Sequence, residues 1–143
     1  MGTSFAAQLL STEVEPEEKL WRGVLCNAIE DAGQQSQERK PSIYKCDAHA
    51  WIMSNVTDFY TVCYYAGFEP EHVKERYKLA IMRGDIQFSP RNFAWKKYST
   101  QFNKYRNCKE PDSKKYHRKH LEHLRNAVDM CTTIFISNLV TAV

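Results

Sequence analysis

Apolar residues recur every three or four positions along most of this chain and almost nowhere alternate, so the pattern predicts helices. Leu20, Trp21, Val24, Leu25, Ala28, Ile29 and Ala32 form one stripe over 17–32. Pro16 suits the first turn of that helix, Glu17 and Glu18 suit its positive end, and Gly33 can end it. A polar loop follows over 34–41, and a second helix is predicted over 44–54 with Tyr44, Ala48, Trp51 and Ile52 inward. Thr57 reads as the N-cap of a third helix, 58–66, which buries Phe59, Val62, Cys63 and Ala66 and stops at Gly67. Pro70 opens a fourth helix with Val73, Tyr77, Ala80 and Ile81 on its apolar face, and Gly84 closes it.

Over 85–111 the pattern gives no single assignment. Phe88, Phe93, Trp95, Tyr98, Phe102 and Tyr105 are interleaved with Arg91, Lys96, Lys97, Lys104 and Arg106. The spacing of Trp95, Tyr98, Phe102 and Tyr105 is helical, with the lysines largely off that stripe. Beyond Pro111, with Asp112 and Ser113 as a cap, a last helix is predicted to about 140. Its apolar side is Leu121, Leu124, Val128, Cys131, Ile134, Phe135 and Leu139, serving either the core or self-association. The expectation is one all-α domain over 1–143, a compact bundle of five or six helices. It divides into a flexible N-terminal arm (1–16), a helix-turn-helix core (17–84), a basic aromatic segment (85–111) and a long C-terminal helix (112–143).

Composition narrows the function classes. With 143 residues, 43% hydrophobic and 26% charged, the chain can bury one core without disulfide or metal staples. No apolar run is long enough for a membrane span, and the N-terminus lacks the basic start of a secretory signal. The five cysteines are odd in number, widely spaced and without a CxxC, which fits reduced thiols in the cytoplasm. His117, His120 and His123 recur every third residue, about 300° apart on a helix, so they fan out instead of converging on one ion. No metal, cofactor or catalytic role is expected: the phosphate-loop, dinucleotide, metalloprotease and nucleophile-elbow motifs are absent, and Cys63, which His72 could serve as a base, falls on a core face.

Charge is the stronger clue. Residues 1–84 carry nine Lys/Arg against twelve Asp/Glu, whereas residues 85–120 carry ten against three. A net +7 packed into a quarter of the chain is the footprint expected where a polyanion docks. A solvated face is the alternative.

Val62–Tyr77, VCYYAGFEPEHVKERY, has the features a helix-turn-helix requires. Val62 and Cys63 face inward, Ala66 is small where a second helix crosses, Gly67 supplies a left-handed turn, Phe68 plugs the core below it, and Val73 packs the second helix down. This unit resembles that of bacterial and phage repressors. A wider set of positions carries the likeness further: Trp21, Ala28-Ile29, Asp31-Ala32, Ala50-Trp51, Ser54, Asp58-Phe59, Val62-Cys63, Ala66-Gly67, Pro70 and Val73. They resemble small phage and prophage-type regulators of alphaproteobacteria, including the N-terminal DNA-binding part of gene-transfer-agent activators. The resemblance implies promoter binding and, through a further domain in those relatives, contact with RNA polymerase.

The leading expectation is therefore a transcriptional regulator that binds duplex DNA. Exposed residues of the second helix, His72, Lys74, Arg76 and Lys78 among Glu69, Glu71 and Glu75, would meet base edges. Arg91, Lys96, Lys97, Lys104, Arg106, Lys114, Lys115, Arg118 and Lys119 would hold phosphates. Paired half-sites suit a homodimer through the C-terminal helix. Two alternatives stay open. One is a less specific nucleic-acid binder, with Trp95, Tyr98 and Tyr105 stacking on bases. The other is a protein-interaction module, a phage-encoded modulator of a host machine, using the acidic fourth helix or the apolar C-terminal one.

Overall fold

Each of the chain's five prolines stands in the first turn of a helix, where a missing N–H breaks no intrahelical bond. The computed structural model describes residues 15–131, and over that span it contains six helices and no strand. They are α1 (Pro16–Gly33), α2 (Arg39–Met53), α3 (Thr57–Ala66), α4 (Pro70–Met82), α5 (Pro90–Asn107) and α6 (Pro111–Met130). The all-α bundle expected from the sequence is thus present. The N-terminal arm up to residue 14 and the apolar positions Ile134, Phe135 and Leu139 lie outside the described residues.

α1 packs against both α2 and α3, α2 carries α5, and α6 packs chiefly on α5. One apolar cluster joins the first four helices: Leu25, Ile29 and Ala32 meet Ala48 and Ile52, Phe59, Val62, Cys63 and Ala66, and Val73, Tyr77 and Ile81. Ile86 and Phe88, in the connection before α5, complete it. Trp95, Leu121 and Val128 are buried outside that cluster, so α5 and α6 share a thinner interface of their own.

Four details correct the sequence reading. Leu20, expected inward, is 66% exposed, and Val24 is also exposed, whereas Arg22 is buried on the adjoining face. Arg22 turns inward because its Nε donates to the carbonyl of Ala66 (2.9 Å), one of the unpaired acceptors at the end of α3. α2 begins at Arg39, earlier than expected, and exposes Tyr44 while burying Ser42, Lys45 and Cys46. Lys45, at 0% exposure, reaches the end of α1 and donates to the carbonyls of Ala32 and Gln34, both at 2.6 Å. Thr57 is the first helical residue of α3 and not its cap; Val56 occupies the cap position, with no side-chain bond. Likewise α6 begins at Pro111, so Asp112 and Ser113 lie inside its first turn.

α5 fills the stretch that the pattern left unassigned. Ser89 Oγ accepts from the Asn92 amide (3.2 Å) and Asn92 Oδ1 accepts from the Ser89 amide (2.9 Å), a reciprocal capping box. Asn92 Nδ2 donates in turn to Ser42 Oγ (2.7 Å) and the Ser36 carbonyl (3.2 Å). The start of α5 is thereby fastened to the start of α2, and this fixes where the basic hairpin stands on the core.

Candidate nucleic-acid interface

α5 and α6 are joined by three residues and together bring most of the chain's positive charge to one hairpin: residues 90–130 hold eleven Lys/Arg and four Asp/Glu. The aromatic stripe of α5 organises these cations. Arg125 of α6 lies over Trp95 (4.8 Å to the ring centroid). Arg39 of α2 lies over Tyr98 and Phe102 (5.1 and 5.5 Å). Lys114 and Arg118 cover Tyr105 (5.2 and 5.9 Å), and Arg118 Nη2 donates to the Tyr105 hydroxyl (3.2 Å). That bond and the neighbouring charge pull the Tyr105 phenol below its ordinary pKa. Each cation gains ring attraction and keeps a charged head near solvent.

Between the two helices runs an open groove of about 280 Å3, lined by Lys96, Lys97, Thr100, Gln101 and Lys104 of α5 with His120 and Leu124 of α6. The α5 positions repeat at helical spacing, so one face presents lysines at both ends of a span of about 10 Å. Lys96 is ion-paired with Asp47 of α2, which ties the groove to the core. Lys97 and Lys104 are exposed. Gln101 is buried beneath the groove, and its amide lies 2.7 Å from His117 Nδ1. Arg106, Lys115, Arg118 and Lys119 are exposed on the same hairpin, and Lys114 and Arg91 are half-buried, Arg91 with a buried Nε that has no partner. Such an array can bind successive phosphates electrostatically without reading a base.

The helix pair α3–α4 is built as its sequence requires at the turn. Gly67 adopts φ 80°, the Phe68 amide donates to the Cys63 carbonyl (3.0 Å) and the Gly67 amide to that of Tyr64 (3.1 Å), which satisfies two acceptors at the end of α3. Arg22 lies over the Phe68 ring (4.5 Å). On α4, His72, Arg76 and Lys78 are exposed beside Glu69, Glu71 and Glu75. Lys74 is not where a groove-reading residue should be: it is 5% exposed, and its Nζ donates to Asn55 Oδ1 (2.7 Å) and the Tyr60 hydroxyl (2.9 Å). Its stem and charge serve the packing of Phe59 and Tyr60, whose rings lie 5.6 and 4.7 Å away.

Sequence reasoning missed Arg39 and Arg125 as members of the basic surface. Their partners are rings on another helix, and no local spacing reveals that. It also missed the polar pair inside the core, where His49 Nδ1 lies 2.6 Å from the Tyr77 hydroxyl. Burial lowers the His49 pKa and raises that of Tyr77, so the contact joins a neutral ring to a protonated phenol. Cys63 is buried, and burial pushes its thiol up to about 11, as it does for Cys46. Both stay protonated at neutral pH. Among the described residues no group of three His, Cys, Asp or Glu is placed to hold a metal ion, and no helix is long and apolar enough to cross a membrane. No family model, curated protein or solved structure matches the chain.

Proposed function

We propose that this protein is a DNA-binding regulator that holds duplex DNA by its phosphates along the α5–α6 hairpin. The observation that carries the reading is the convergence of Lys96, Lys97, Lys104 and His120 on one groove, with Lys115, Arg118 and Lys119 exposed on the same hairpin. Duplex is favoured over single strand because Trp95 is buried and the rings of Tyr98 and Tyr105 each carry a cation, so stacking platforms for bases are already covered. α3 and α4 act as the helix-turn-helix, in keeping with the likeness of Val62–Tyr77 to phage-type regulators. His72, Arg76 and Lys78 then supply what base reading there is, and the neighbouring glutamates restrict it to sites offering cytosine amino groups. The free cysteines support a reducing cytoplasm, where the protein would act as a dimer and meet a host partner such as RNA polymerase.

Duplexes selected from a random pool test the division of labour. Arg76→Ala with Lys78→Ala is expected to flatten discrimination between selected and random duplex. Lys97→Ala with Lys104→Ala is expected to weaken both alike. Equal losses from the two pairs, with no enriched sequence, would leave the reading helix without a role.

A further inference from the structure

A second open groove, of about 550 Å3, lies on the other helix pair, at the exposed side of α3 and the turn into α4. It is lined by Tyr60, Tyr64, Tyr65, Phe68, Glu69 and Pro70. Tyr64 is 79% exposed, a large aromatic left to solvent. The rings are held by one another: Trp21 stacks on Tyr65 at 5.4 Å, and Tyr64 meets Tyr65 edge-on at 5.8 Å.

Carboxylates surround this aromatic surface. Glu69 is part of the lining, Glu71 Oε1 accepts from the Tyr60 hydroxyl (2.9 Å), and the Glu18 carboxylate lies directly over Gly67, in the space a Cβ there would need. The neighbouring cations point inward and are engaged: Arg22 with the Ala66 carbonyl and Phe68, Lys74 with Asn55 and Tyr60. Aromatic faces and carboxylates together attract cations, and the tyrosine hydroxyls can bond a peptide backbone. The same carboxylates repel phosphate, which separates this groove from the basic hairpin in what it can hold.

We propose that the groove docks a short segment of a partner protein that carries a lysine or arginine between apolar residues. A second copy of this chain is a poorer occupant, because the cations of its basic hairpin lie along packed helices and not on a short segment that could enter the groove.

A displayed library of random short peptides, panned against the full chain, tests this directly. The variants Tyr64→Ala and Glu69→Lys change exposed side chains, and circular dichroism verifies that their helices are intact. Enrichment of peptides with a basic residue beside apolar ones is expected, with affinity by calorimetry falling about tenfold in either variant. Replacing the basic residue of a selected peptide by glutamine is expected to cost a similar factor. Four outcomes would each overturn the proposal: no enrichment, enrichment without a basic residue, equal binding by both variants, or self-association of the chain that Glu69→Lys abolishes.

Discussion

Three basic side chains point into the molecule, and each is held by a different device. Arg22 closes the end of α3 and lies on Phe68; Lys45 closes the end of α1; Lys74 bonds Asn55 and Tyr60. Removing the Lys74 ammonium strips partners from two polar groups, so Lys74→Ala should cost about 1–3 kcal/mol in urea unfolding and leave duplex discrimination unchanged. Native stability with lost discrimination would contradict its burial. Lys45 links stability to pH. Burial lowers its pKa to about 8, against about 10.4 in an unfolded chain. Between those values the unfolded chain binds the extra proton, so this contribution grows as pH rises and is lost as pH falls through 8. Cys46, Cys63 and Tyr77, all raised by burial, act in the opposite direction in alkaline solution. Comparison with Lys45→Met removes them from the result. As pH is lowered from about 10 to about 8, the difference in unfolding free energy should move in favour of the variant. A difference independent of pH would mean that Lys45 is not titrating in a buried site.

Elements whose signals are local were legible in the sequence. α3 and α4 follow from Gly67, Pro70 and the stripe from Phe59 to Ile81, because a left-handed turn residue and a first-turn proline act within a few positions. The start of α2 was not legible, since Ser42 and Lys45 look like solvent residues until Asn92 and the end of α1 are brought to them. The same holds for the α1 stripe, where Arg22 displaces Leu20 from the interior by bonding forty-four residues away. For α5 the signal existed in Ser89-Pro90-Arg91-Asn92, a capping box written with asparagine at its third helical position. That box fixes the hairpin to the core. Ser89→Ala is expected to cost about 1 kcal/mol by thermal or urea unfolding, and an unchanged midpoint would show that the cap does not hold α5. Of the candidate site, the lysine spacing on α5 was readable. The contribution of His120 was not, because it depends on how α6 lies on α5.

At the scale of the whole molecule, charge and hydrophobic packing are divided along the chain. The first four helices share the main core and carry the acidic excess; the last two share a thin interface and carry the basic one. The α5–α6 hairpin is thus the face suited to phosphates, whereas the α3–α4 turn, where tyrosines and glutamates are exposed, adds little to phosphate binding and leaves α4 only base contacts through His72, Arg76 and Lys78. Two surfaces of opposite character on one small protein suit a molecule that joins nucleic acid to a protein partner. The central claim is the phosphate grip, and the most direct measurement is the affinity of the full chain for labelled random duplex across a salt series. Log affinity should fall linearly with log salt, with a slope of about −3 or steeper, and Lys97→Ala with Lys104→Ala should flatten it by about 2. No duplex binding at low salt, or a slope untouched by the double substitution, would contradict the account.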